Sequence, residues 1–229
     1  MRAFHVLTIT LAIASATVPV ARAHSFQEFE KELSAREKYF QPMDQPAPGF
    51  ELLGAGGRAI SLADFRGKVV VLHFIYTKCQ DVCPLHADRI AQIQSMVNRT
   101  PMKSAVEFIT ITTDPRNDTP QVLHDFGAAH GLNPTNWVFL TSGPDRPDDT
   151  TRQLALAYGL KFTLSEDGSQ MHGVVTHVID QEGRLRARFH GLKFEPTNMV
   201  LYINALVNKM QEPHNHNEQS LWEQLKALF

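Results

Sequence analysis

The sequence predicts an α/β fold, a central mixed sheet flanked by helices and preceded by an N-terminal β-hairpin. Three observations predict it. Lys68 to Tyr76 is an almost unbroken run of β-branched and aromatic residues. Such a strand is buried on both faces, between layers of helices. After it, strand-like and helix-like segments alternate, as in parallel α/β units. The alternation closes on two strand-like runs joined by Gln181, Glu182 and Gly183, a tight turn that pairs them antiparallel.

The elements follow in chain order. Residues 26–40 place Phe26, Phe29, Leu33 and Phe40 near helical spacing among charges, which predicts a short amphipathic helix. Gln41 to Gly49 holds Pro42, Pro46 and Pro48 and reads as a linker or extended lead-in. Phe50 to Ser61 reads as the hairpin, with Gly54, Gly56 and Gly57 inside it, and Leu62 to Gly67 as a turn. After the central strand, a helix is expected from about Val82 to Val97 and a strand from Val106 to Thr113. A second helix spans Thr119 to His130, with Asp118 as its N-cap. Trp137 to Leu140 is a short strand, and Pro147 to Tyr158 a helix stopped at Gly159. Gly173 to Asp180 and Arg184 to His190 form the closing strand pair, and Glu195 to Met210 a last helix. This order is that of a thioredoxin-like domain, expected to occupy residues 46–210 after an N-terminal helix and linker at 24–45.

Both ends carry separate signals. Arg2, the apolar run Val6 to Val18, and Ala21, Arg22 and Ala23 form a secretory signal-peptide pattern over residues 1–23. The run is shorter than the roughly 20 residues of a spanning helix, so cleavage is favoured over an uncleaved anchor. The expected location is the periplasm, where a Cys pair is oxidised unless a reductant or metal holds it. At the other end, Pro213 breaks the last helix within residues 211–229. Leu221, Trp222, Leu225, Leu228 and Phe229 then share a stripe. That stripe packs back on the domain or contacts a partner or membrane surface.

Composition excludes several classes. The 229 residues carry 22 Lys plus Arg against 24 Asp plus Glu, a net charge of −2 that argues against a nucleic-acid partner. Apolar residues at 43% exclude disorder as the main state. Two Cys cannot build a disulfide-dense scaffold or a four-Cys zinc site. One possible Cys pair and eleven His remain.

Cys79 and Cys83 lie where the buried strand turns into the first helix, the sheet edge at which α/β folds bind ligands. Pro84 belongs in a first helical turn, so Cys79 is expected in the loop and Cys83 at the helix start. A helix N-terminus favours thiolate, which is both the nucleophile and the metal-binding form. A static disulfide, a dithiol redox catalyst and a two-thiolate metal site all compete. Three intervening residues depart from the C-x-x-C of thioredoxin-type enzymes. Gly168 to Asp180 also lacks the proline those enzymes place opposite the pair. The peroxiredoxin pattern P-x-x-x-T-x-x-C is absent.

A metal site needs a third ligand. His73 falls inside the buried strand, His86 is expected at the helix surface or edge, and His124 and His130 point outward. His172 and His177 flank the strand start that should lie against the active-site helix. Either could complete a two-Cys, one-His set suited to Cu(I) or Zn.

Three motifs add a resemblance. Phe74 to Pro84 looks like F-G-Y-T-x-C-P-D-V-C-P. Thr113 to Pro120 looks like D-P-x-R-D-T-P with one extra polar residue. His172 to Gly183 looks like D-H-x-x-x-x-Y-L-I-D-x-x-G. Over roughly residues 42–210 the chain resembles the Sco (SenC) copper-chaperone family. The resemblance implies a copper ion, Cu(I) or Cu(II), held by Cys79, Cys83 and His172, with His177 on the family's Tyr. It implies delivery to cytochrome c oxidase subunit II or another copper acceptor, and a thiol reductant protein as a second partner. A thiol–disulfide oxidoreductase working through Cys79 and Cys83, or a copper or redox sensor, are the rivals. Ile75, Gln80 and Met171 replace the family's Gly, Pro and Asp. They bear on redox poise and partner recognition. A packing role is expected for Met171, against a soft thioether near the ion. The free amine and imidazole of His24 suggest a second copper site, and His214 and His216 have no assignment.

Overall fold

The computed structural model describes residues 26–164 and 170–208. The expected signal peptide, His24, His214, His216 and the expected amphipathic C-terminal helix lie outside the described residues. No helix among those described is long and apolar enough to cross a membrane.

Phe26–Arg36 is helix α1, with Phe26 and Leu33 buried on one stripe. Phe40–Pro46 follows as strand β1, which corrects two expectations. Phe40 leaves the helix, and the expected linker is a strand of the main sheet. Pro42 and Pro46 are tolerated because β1 is an edge strand, where a missing N–H breaks no inner ladder. The sheet therefore starts before residue 46.

Glu51–Leu53 (β2) and Ala59–Ser61 (β3) form the expected hairpin. The central strand Val69–Ile75 (β4) is buried at every position. Val69, Val71 and Ile75 face the core beneath α1 and the helices Val82–Asn98 (α2) and Pro196–Val207 (α5). Val70, Leu72 and Phe74 face the hairpin and the helix Thr150–Ala157 (α4). Two helix-side layers explain the unbroken apolar run of β4.

Val106–Thr112 (β5) and Trp137–Leu140 (β6) add in parallel on one side of β4. Val175–Ile179 (β9) and Arg184–His190 (β10) add antiparallel on the other, ending at β1. The order is β1-β10-β9-β4-β5-β6. Pro120–Ala129 is helix α3. Its N-cap is Thr119, whose Oγ1 accepts from Val122 N–H, and not Asp118. Gly159 closes α4 at φ +90°, as a C-terminal glycine should.

Besides β1, the sequence pattern missed a short strand pair. Phe162–Leu164 (β7) and Gln170–His172 (β8) form a separate two-stranded sheet. It carries His172 on its second strand.

Candidate metal centre

The first turn of α2 and the loop before it bring Cys79 and Cys83 together as free thiols. They are 8% and 2% exposed. Cys79 N–H donates to Tyr76 O at 3.2 Å, which folds the loop back as β4 ends. Cys83 N–H donates to the Cys79 sulfur at 3.4 Å. Pro84 stands in the first turn, where its missing N–H costs no helical bond.

The two sulfurs sit in different fields. Burial pushes the Cys79 thiol up, but the Cys83 thiol and the backbone N–H groups of Asp81, Cys83 and Val82 outweigh it. They hold Cys79 below the usual thiol range. Burial and the neighbouring Cys79 push Cys83 far up, against a weaker backbone hydrogen bond from Tyr76. Cys79 is thus the more acidic of the two thiols, and Cys83 the one that holds its proton more strongly.

His172 approaches from β8. Its ring lies 6.2 Å from that of Tyr76 and 5.2 Å from that of Phe162, centroid to centroid. Nδ1 lies 3.1 Å from Gly173 O. A carbonyl only accepts, so Nδ1 carries the proton, and Nε2 of the neutral ring keeps its lone pair. Burial lowers the pKa of the ring, with the Gly173 hydrogen bond opposing, so the neutral form is favoured. Nε2 is buried and has no hydrogen-bond partner among the described residues. An orphaned imidazole lone pair is costly unless it meets a ligand. It fits a metal ion better than it fits an empty interior.

The arrangement is not a closed ligand cage. Among the described residues, no three His, Cys, Asp or Glu side chains stand together as a ready-made metal group. Cys79 and Cys83 are in contact, and His172 is beside Tyr76, the residue that anchors their loop.

His177 is a core residue, as its place in the resemblance implied. Its Nε2 donates to Tyr158 O at 3.1 Å, and Phe74 and Tyr158 meet its ring edge-on. His86 departs from expectation. It is 2% exposed, on the buried stripe of α2 with Cys83, Ala87 and Ile90. Met171 also departs from the expected packing role, because it is 68% exposed. His124 is exposed and His130 bonds Asp88 at 2.6 Å.

The sequence also leads one to expect Asp114 and Asp118 to shape a loop beside the site, and the structure gives Asp118 that place. Asp118 is fully buried, and its carboxylate accepts from Thr77 N–H, from the Thr77 hydroxyl and from the Thr112 hydroxyl. It ties the loop of Cys79 to the end of β5. Its position before the helix-capping Thr119 hid its partners, since Asp is itself a good N-cap.

The model of the SCO1/SenC family matches residues 41–208. The SCO2-like protein RP587 of Rickettsia prowazekii is 27% identical over 143 residues, 62% of this chain and 67% of that protein. Among solved structures, BsSco, described as a member of the Sco family of cytochrome c oxidase assembly proteins, superposes with a TM-score of 0.64. It is 21% identical and covers 73% of this chain and 96% of its own. Yeast Sco1 with copper bound superposes at 0.60, is 20% identical, and covers 76% and 94%. These two share the fold. The match across both the cysteine loop and the His172 strand settles the family: this chain belongs to the SCO1/SenC family.

Proposed function

We propose that the protein binds one copper ion through Cys79, Cys83 and His172 and hands it to an acceptor. The observation that carries this reading is the buried Nε2 of His172, without a partner among the described residues, near a loop that holds two free thiols. Two sulfurs and one imidazole nitrogen suit Cu(I) in a three-coordinate site. The thiols must be reduced to bind, since a disulfide offers no thiolate. Binding displaces the Cys83 proton, which a soft cation compensates. Ligand exchange then transfers the ion while an incoming donor replaces each leaving one. The acceptor in this reading is the dinuclear copper site of cytochrome c oxidase subunit II. The work is done in the periplasm after cleavage behind Ala23, with a thiol reductant keeping the pair open.

The split between the two thiols also supports a second reading, a thiol–disulfide oxidoreductase acting on acceptor cysteines. There Cys79 attacks and Cys83 resolves the mixed disulfide. Anaerobic titration separates the two. The chaperone reading expects one equivalent of Cu(I) bound tightly, and His172→Ala binding at least tenfold more weakly, as loss of a ligand requires. Weak binding, or binding unchanged by His172→Ala, overturns it. Rapid insulin reduction favours the oxidoreductase. In the cell, a deletion strain should lose oxidase activity and regain it with added copper.

A further inference from the structure

Two buried imidazoles, His86 on the helix of Cys83 and His73 packed against it, stand outside the proposed ligand set. His86 stands one helical turn beyond Cys83, and its Nε2 is 2.9 Å from Thr176 Oγ1. Thr176 is fully buried on β9, four residues after His172. Across the sheet, Thr176 stands opposite His73 on β4, and His73 opposite Thr110 on β5. His73 Nε2 is 3.2 Å from Thr110 Oγ1, and Trp137 Nε1 donates to the same hydroxyl at 2.9 Å. The His73 and His86 rings are 4.7 Å apart. A polar row therefore crosses three strands inside an otherwise apolar layer, and α2 joins it through His86.

The cost of such a row is desolvation, and its return is direction. Apolar packing alone holds α2 on the sheet but leaves it free to slide by fractions of an ångström. A buried hydrogen bond tolerates little displacement before it is lost, and losing it strands two polar groups. The bond sits where it matters. His86 shares the first two turns of α2 with Cys83, and Thr176 shares its strand with the segment that leads out of His172. Cys83 comes from α2, and His172 ends β8 only three residues before β9 begins.

We propose that His86 and Thr176 are positioning residues for the metal site. Their hydrogen bond fixes the start of α2 against β9 and thereby sets Cys83 relative to His172. The inference rests on the copper-binding reading above. It adds that the energy of the His172 ligand depends on a bond that touches no metal.

A double-mutant cycle tests it, with Cu(I) affinity measured by anaerobic competition against a chromophoric chelator. Thr176→Val removes the hydroxyl at constant shape. In the parent protein it should weaken Cu(I) binding about tenfold, the lower end for loss of an outer partner. Thr176→Ser restores the hydroxyl and should bind within about twofold of the parent. In a His172→Ala background, Thr176→Val should change affinity by less than about twofold, since there is no His172 left to position. Thermal melts check that each variant is folded, and Thr176→Ala replaces the valine variant if that one does not fold. No loss in the parent, or equal loss in both backgrounds, overturns the inference and leaves the copper reading standing. Absent Cu(I) binding, or binding indifferent to His172→Ala, overturns both.

Discussion

Cys79 and Cys83 are four residues apart, yet their protons are held very differently. Cys79 receives backbone N–H groups at the helix start, while Cys83 is enclosed by apolar neighbours and faces the Cys79 sulfur. Alkylation follows the thiolate, so at neutral pH iodoacetamide should label Cys79 at least tenfold faster than Cys83, one pKa unit being a factor of ten. Peptide mapping by mass spectrometry after short exposure of the reduced, metal-free protein reads the ratio. Equal labelling would contradict the asymmetry. At this scale the sequence was informative about residue type and less so about neighbourhood. The loop cysteines follow from Pro84 and the end of a buried strand. His86 does not, because a polar residue on an apolar stripe is ordinarily placed outside. Its spacing from Cys83, Ile90 and Ile93 nevertheless puts it on the buried face. Asp118 shows the same limit, since two good N-cap residues stood side by side and the carboxylate had a better use.

Elements were legible where one strong pattern covered several residues. The unbroken strand β4 and the helix α2 were found within a residue or two. Strand β1 was not, because prolines argue against an inner strand and an edge position cannot be read from the chain alone. The short β7–β8 pair escaped because three residues are too few for any period. His172 belongs to that pair, so its identity was legible by resemblance and its support was not. A second element-scale feature is the seat of α3 on β6. A Cβ at Gly127 would stand 1.9 Å from the Trp137 ring. That ring cannot yield, since its Nε1 is bonded to Thr110 and Phe139 packs edge-on at 5.6 Å. Replacing Gly by Ala in a helix ordinarily stabilises by about 1 kcal/mol. Overpacking a tight contact costs about 1–3 kcal/mol. Gly127→Ala should therefore lower the urea midpoint with the slope unchanged, and a raised midpoint would show that the helix can lift off the ring.

For the molecule as a whole, the imidazoles matter more for stability against acid than for charge. His73, His86 and His177 are at most 2% exposed. Burial pushes His73 and His177 down to about 3 and His86 well below its ordinary value. In the unfolded chain all three titrate near 6.5. Below that pH the unfolded state takes up protons that the folded state refuses, so stability falls as pH falls. The contribution is fully present above 6.5 and is lost progressively toward 3. At about pH 5 each such group removes on the order of 2 kcal/mol, against a total of about 5–15 kcal/mol for a domain. Glu37 acts in a lower window. Burial pushes its carboxyl up, but the N–H groups of Glu195 and Tyr39 and the Asn198 amide hold it below the usual carboxylate range. The drop between about pH 7 and pH 5 therefore belongs to the imidazoles. Urea unfolding across that range should show the midpoint falling steadily. His177→Phe, which keeps a ring between Phe74 and Tyr158 and cannot be protonated, should make the fall shallower even where it lowers stability at neutral pH. A midpoint flat down to about pH 5 would mean that the folded core accepts these protons, contrary to its burial of all three rings.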